Sequence, residues 1–495
     1  MNKFIILVIL IAGVLNSTCL AKDIEVLMDG EKIVFDTAPI LEDGRTLVPF
    51  RKIFETLGYK VSWDGDKRKV NATKKGKEIE LIIDDKNVIV NNEVILSDVA
   101  PKIINSRTYV PIRIVSEYSD CDVLWDDATK TVLIYTKQGP YEIGIQDMFA
   151  KFATDGKYIY YSPYEGNTYR FTEDLQKEVL PFKSGNGLTI YKNKLYARVE
   201  NEKYKFHYES IDLKNFKMKD ISNQEIEGCV IYNGKIYYEY FPLPIDKEAK
   251  NSGIYVMDIN GKNKKQICYS QYRINNFYVT DDYIFAKGKM YEIKSGKEKI
   301  LTDYFITATG MDDEIYYMAI NEYKGEAFPL TPIGVYAYNY KTGETKLYPF
   351  DKEIVDIEVT DNSIYMTWEN DSEYSKIMNY RYNGYTYSYF IVRLTKDFKY
   401  PVEIYKGTNY LETCENGEKI SWYGGVSSEI EVIGNYVYFN YLSTSGNIVR
   451  ISTDGKEVTN LNEFWKYDVK EEENKDYKYT IVDFTDELRN KGGWK

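Results

Sequence analysis

Two stretches decide how the N-terminal part of this chain is read. They are RTLVPFRKIFETLGYKVSWDGDKRKV at 45–70 and RTYVPIRIVSEYSDCDVLWDDATKTVLI at 107–134. Arg45-Thr46 recurs as Arg107-Thr108, Val48-Pro49 as Val110-Pro111, Arg51 as Arg113, and Trp63-Asp64 as Trp125-Asp126. Upstream, Ala38-Pro39 recurs as Ala100-Pro101. Every pair keeps one spacing of 62 residues without a gap. Chance does not hold a register over so many positions, so this is an internal repeat.

Each copy reads as strand, helix, strand, turn, strand. Thr46 to Val48 is a short strand, and Pro49 suits a first helical turn, where its missing N–H is not needed. Phe50, Ile53, Phe54 and Leu57 fall on one helical stripe, and Gly58 is a helix stop. Tyr59 to Trp63 alternates as a strand, and Asp64-Gly65-Asp66 turns the chain into a partner strand. In the second copy Ser116 and Ser119 replace Phe54 and Leu57, which weakens the stripe. The matched Trp63 and Trp125 are expected to pack in the core of each copy. Arg51 and Arg113 are expected to pair with carboxylates such as Asp64 and Asp126. Matched places in both copies favour a structural role for Pro49, Arg51, Trp63, Asp64, Pro111, Arg113, Trp125 and Asp126 over a ligand surface.

This doubled pattern closely resembles the copper amine oxidase-like N-terminal domain of bacterial surface and secreted proteins. That family is named after the stalk of an amine oxidase, which carries neither the copper nor the quinone. The resemblance implies an accessory or adhesive module without oxidase activity. Composition agrees. Copper in such an oxidase needs three imidazoles, and this chain has one histidine, His207, in a strand-like Phe-His-Tyr-Glu where a structural role is expected. Asn409-Tyr410 and Asn435-Tyr436 lack the surroundings a tyrosine-derived quinone requires.

Before the repeat, Lys3, an apolar run from Phe4 to Leu15, and Ala21 have the order of a secretory signal peptide, expected over 1–21. Cys19 offers a lipoprotein alternative, disfavoured because Thr18 and Asn16 stand where a lipobox has a small residue and Leu. Four cysteines then remain, Cys121, Cys229, Cys268 and Cys414, too scattered for a disulfide scaffold or a zinc site, and isolated thiols are expected. The net charge of −12 argues against nucleic acid, which needs a basic face. Tyrosine, at 49 copies, fits pleated half-buried strands, with an AT-rich coding bias as the other source.

From Tyr141 to Thr485 the chain is a series of short strands. A turn followed by an apolar-aromatic strand occurs seven times: at 155–161, 192–196, 233–238, 281–285, 312–317, 361–365 and 434–438. Hairpins follow in several units, turning at Asn260-Gly261, Ser295-Gly296, Thr342-Gly343 and Asp454-Gly455. The spacing, roughly 49 residues, is that of a four-stranded propeller blade. About seven blades are expected, with Tyr477 to Phe484 a candidate for closing the ring on the first. The unit also resembles, at hairpin level, the low-density-lipoprotein-receptor-related β-propeller repeats of bacterial exported proteins. That resemblance implies binding or scaffolding and carries no catalytic residue.

The fold expected is mainly β: a small duplicated α+β module over 22–138, then a β-propeller over 139–495. The protein expected is a secreted or cell-surface, non-catalytic binding or scaffold protein with no cofactor. Its partner would be a cell-wall or extracellular polymer or a protein. No Ser-His-Asp set, P-loop or dinucleotide fingerprint occurs. The alternative is a glycan hydrolase using a carboxylate pair on the propeller. Tyr385, Tyr387, Trp422 and Tyr423, in aromatic clusters read as loops between units, are the candidate ligand residues.

Overall fold

A computed structural model describes residues 24–137, 150–163, 167–185, 187–200, 206–222, 226, 229–241, 250–274, 277–301, 308–320, 332–350, 352–369, 386–410, 426–441 and 447–461. The chain divides into two compact units, 1–135 and 136–495.

The first unit contains β1 (Glu25–Met28), β2 (Glu31–Lys32), β3 (Ile40–Glu42), β4 (Arg45–Pro49), α1 (Phe50–Thr56), β5 (Lys60–Asp64), β6 (Lys69–Lys74) and β7 (Lys77–Ile82) from the first copy. The second copy supplies β8 (Asn87–Val90), β9 (Glu93–Leu96), β10 (Lys102–Ile104), β11 (Arg107–Pro111), α2 (Ile112–Glu117), β12 (Cys121–Asp126) and β13 (Thr131–Thr136). Of these, β7 has no counterpart among the described residues. The stripe of α1 is buried, and Gly58 ends the helix at φ +80. The N–H groups of Gly58 and Tyr59 reach back to the carbonyls of Glu55 (3.0 Å) and Phe54 (2.9 Å), and the Tyr59 ring packs edge-on against Phe54 at 5.5 Å. This is the hydrogen-bonded stop that a left-handed glycine makes possible. In the second copy Ser119 is buried, and its hydroxyl donates to the Val115 carbonyl, so the weaker stripe leaves no orphaned group there.

The two copies interlock. Strands β4 and β11 pair antiparallel, with Leu47 opposite Pro111, Val48 opposite Val110, and Pro49 opposite Tyr109. Val48 thus faces its own counterpart, and a local two-fold axis runs through that pair. On either side β3 and β10 add in the same register: Leu41 faces Thr46, and Ile103 faces Thr108. The remaining sheets are mixed. Hairpin β5–β6 of the first copy joins β8–β9 of the second through β7, and hairpin β12–β13 of the second joins β1–β2 of the first. One core serves both copies, including Val48, Phe50, Ile53 and Phe54 with Val110, Ile112, Ile114 and Val115. Across the axis Arg45 Nε donates to Asp98 Oδ2 at 2.6 Å, and Arg107 Nη2 stands 3.4 Å from Asp36 Oδ2. These two ion pairs are counterparts of each other.

The second unit is a β-propeller. Its described residues form seven four-stranded antiparallel sheets, each from four consecutive strands: 152–179, 189–222, 229–269, 278–300, 308–349, 353–410 and 426–460. In chain order they are blades 1 to 7. The seven turn-and-strand signals are the turns between first and second strands. The hairpin signals are the turns between third and fourth strands. Tyr160, Tyr196, Tyr237, Phe285, Tyr316, Tyr365 and Tyr438 occupy one repeated place in the second strands, and all are buried. Core clusters bridge neighbouring blades, such as Tyr196, Tyr208 and Ile221 of blade 2 with Ile236, Tyr238 and Met257 of blade 3. In blade 3, Gly253 allows the fourth strand to approach: a Cβ there would stand 2.0 Å from the Cys268 carbonyl oxygen.

Blade 1 draws all four strands from 152–179, so it is complete without an exchanged strand, and Tyr477 to Phe484 lie outside the described residues. Among the described residues, side chains join blades 7 and 1. The buried Glu431 carboxylate accepts the N–H groups of Lys151 (2.8 Å) and Phe152 (3.1 Å). Arg450 Nη1 donates to the Glu173 carbonyl at 2.6 Å, and the Phe152 and Tyr438 rings lie 5.0 Å apart.

Replacing Glu431 by Leu would leave two N–H groups unpaired at this junction, each worth roughly 1–3 kcal/mol when buried. We expect the urea midpoint of the propeller to fall accordingly, while that of the first unit stays put; an unchanged propeller midpoint would contradict the role given to Glu431. Gly58→Ala should cost the first unit about 1 kcal/mol in the same titration, from left-handed backbone strain alone.

Candidate binding surfaces

Pro49 and Pro111 close strands β4 and β11 and are buried; Pro49 caps α1 and stands just before its first turn. The tryptophans do not lie in the core. Trp63 is 38% exposed and Trp125 36%. Each sits at the end of its hairpin strand with the indole turned over the following bend. Trp63 Nε1 is 3.6 Å from where a Cβ on Gly65 would stand, and Trp125 Nε1 donates to Asp127 Oδ1 at 3.3 Å. The arginines do not pair with Asp64 or Asp126 either. Arg51 faces Glu55, one helical turn on, at 3.7 Å, and the charge of Arg113 lies near Asp98. Asp64 and Asp126 build turns instead: Asp64 Oδ1 accepts the Lys67 N–H (3.1 Å), and Asp126 accepts the Ala128 N–H (3.0 Å) and the Thr129 hydroxyl (2.5 Å). A carboxylate two or three residues before an N–H is held locally, which removes it from longer-range pairing.

Sequence reading missed an outward-facing regularity. Val34 and Leu96, Leu41 and Ile103, and Trp63 and Trp125 are three pairs related by the repeat, and all six side chains are exposed. Single exposed apolar residues are ordinary, but the same places kept apolar in both copies are not explained by burial. The aligned copies carry that signal, but a matched place alone does not say which way a side chain faces.

In the propeller, Tyr387 belongs to the third strand of blade 6, Thr386–Leu394, opposite Asn409. Phe390 of the same run is buried opposite Trp368 and Lys406. The cluster from 382 to 390 is therefore not wholly a loop, because 386–390 has ladder partners in that sheet. Tyr385, Trp422 and Tyr423 lie outside the described residues; the stretches carrying them adjoin Thr386 and Tyr410, which pair with each other. His207 is in the strand Phe206–Asp212, opposite Val199.

The first strands of successive blades line the ring axis. Tyr232 and Tyr278 lie on the first strands of blades 3 and 4, and Tyr340 follows the third strand of blade 5, Pro332–Asn339. The Tyr232 hydroxyl donates to Asp281 Oδ1 (3.2 Å), which also accepts Asn233 Nδ2 (2.7 Å). Tyr340 packs against Tyr283 (6.1 Å) and Phe285 (5.6 Å). The Tyr278 ring reaches blade 5, 3.0 Å from where a Cβ on Gly310 would stand. Burial, then Tyr232 and the charges of Asp312 and Glu358, push its phenol up to about 12. The result is a phenolic, acid-rimmed surface of hydrogen-bonding groups set beside aromatic faces. Among the described residues, no group of three or more His, Cys, Asp or Glu is placed to hold a metal ion.

Cys121, Cys229 and Cys268 are free and buried. Burial pushes the first two thiols up to about 12 and the third to about 11. They stay protonated at neutral pH, and a thiol is a poor nucleophile.

The first unit has a counterpart among known families. Residues 27–134 match the copper amine oxidase N-terminal domain. That stretch holds both copies of the repeat. The chain matches no curated protein sequence. Solved structures similar to it include the β-propeller domain of the Trilobed protease from Pyrococcus furiosus, at 12% identity over 63% of this chain and 95% of that one, TM-score 0.38. BamB from Moraxella catarrhalis is 11% identical over 66% of this chain and 91% of that one, TM-score 0.34. A prolyl endopeptidase is 11% identical over 64% of this chain and 50% of that one, TM-score 0.42.

Because the thiols and most of the described tyrosines near the blade cores have raised values, folding holds protons that the unfolded chain releases. Stability is then fully present below pH 9, and it falls as pH rises through the unfolded thiol range and past 10, where unfolded tyrosines ionise. Urea midpoints measured from pH 7 to 11 should be flat at first and then decline. Native thiols should react with a disulfide reagent at pH 8 only after unfolding.

Proposed function

We propose that this chain is an exported, cell-surface binding and scaffold protein whose repeat module holds envelope material and whose propeller presents a second ligand surface. The observation that carries this reading is the set of exposed apolar pairs on the first unit. They use both copies alike, as contact with a polymer of repeating chemistry would require. The signal-like N-terminus and the accessory character implied by the family match support the same reading. On the propeller, the phenolic surface around Tyr232, Tyr278 and Tyr340 supplies stacking faces and hydrogen-bond partners. Tyr387, on the third strand of blade 6, and Tyr385, Trp422 and Tyr423, which lie outside the described residues, are the further candidates.

Full-length protein should sediment with purified bacterial cell-wall material. Trp63→Ala combined with Trp125→Ala should reduce the bound fraction about tenfold, since one lost aromatic stacking contact is worth roughly 0.5–1.5 kcal/mol. Equal binding by variant and parent would sink the assignment to this module. Release of soluble glycan fragments in the same mixture would favour the hydrolase reading instead.

A further inference from the structure

The repeat is complementary to itself. Val48 pairs with its own counterpart, Val110. Each copy carries both halves of the ion pair made across the axis: Asp36 and Arg45 in the first, Asp98 and Arg107 in the second. Each copy also supplies one hairpin to a mixed sheet and receives one from the other. Nothing in these contacts requires the two copies to lie on one chain.

What keeps them together is the short link from β7 to β8, residues 83–86. Asp84 turns there at φ +67, its N–H bonded to the Pro101 carbonyl (2.8 Å), and Asp85 Oδ1 accepts the Asn87 N–H (2.9 Å). The chain reverses at this link, so that Ile79, Glu80 and Leu81 pair with Val90, Ile89 and Val88. If the link is extended instead, the second copy leaves the first, and both present the surfaces they used on each other. A second molecule in the same state satisfies all of them. Exchange of an identical element is a low-cost route to a dimer because the closed contacts are the same in both forms.

We propose that a second copy of this chain is a partner of the N-terminal module, taken up by reciprocal exchange of the two repeats, with 83–86 as the hinge. Copy one of each molecule pairs with copy two of the other. β4 meets β11 across chains, and Arg45 and Arg107 meet Asp98 and Asp36 of the other molecule.

Charge exchange at the axis tests this with the full chain. One variant carries Arg45→Asp and Arg107→Asp, the other Asp36→Arg and Asp98→Arg. Within either molecule both ion pairs become like-charged contacts. Between the two variants, exchange restores every pair. Co-refolding an equimolar mixture from urea should give a heterodimer by native mass spectrometry, at least tenfold above either homodimer. A second full-length variant lacking Asp84 and Asp85, otherwise unchanged, cannot reverse at the hinge and should be dimeric by light scattering. The charge variants are read only if each is folded by circular dichroism; if they are not, the deletion variant decides. Monomers throughout the co-refolded mixture, or a monomeric deletion variant, would overturn the proposal.

Discussion

Backbone N–H and C=O groups along the edge of a sheet have to find partners or face water, and repetition answers that constraint twice in this protein. In the first unit the repeats cover each other. Hairpins β5–β6 and β12–β13 lie in sheets completed by strands of the opposite copy, and β4 lies against β11. In the second unit, four-stranded sheets are set around an axis, and their faces are covered by neighbouring blades. Among the described residues no chain passes between blades 7 and 1, and there the Glu431 carboxylate takes two N–H groups of blade 1.

The two units use aromatic side chains in opposite ways. The blades place a tyrosine or phenylalanine at one repeated, buried position of each second strand, which accounts for part of the abundance of tyrosine. The repeat module places its tryptophans at hairpin ends, where the rings remain more than a third exposed. Equivalent position in a repeat therefore marks equivalent geometry and not burial. A fold determinant and a surface kept for contact leave the same trace in two aligned copies. Only the position of each residue on its strand separates them.

Much of this was legible in the residues themselves. The 62-residue register, the stripe Phe50, Ile53, Phe54 and Leu57, the stop at Gly58, and the seven turn-and-strand units needed only local chemistry: helical period, left-handed glycine and paired turn residues. The partners of charged groups were not legible. Asp64 and Asp126 are held by N–H groups in their own turns, and Arg45 finds Asp98 across an axis that joins residues far apart in the chain.

By itself, then, the sequence determined that there is a duplicated module followed by repeated four-stranded units, because both are written in short-range periodicity. The tertiary structure decided that the two copies interlock around Val48 and Val110, that the tryptophans face outward, and that Tyr387 and Phe390 belong to a strand. Those outcomes depend on which strand edges meet. Edge pairing joins segments distant in sequence, so no local pattern of residues carries it.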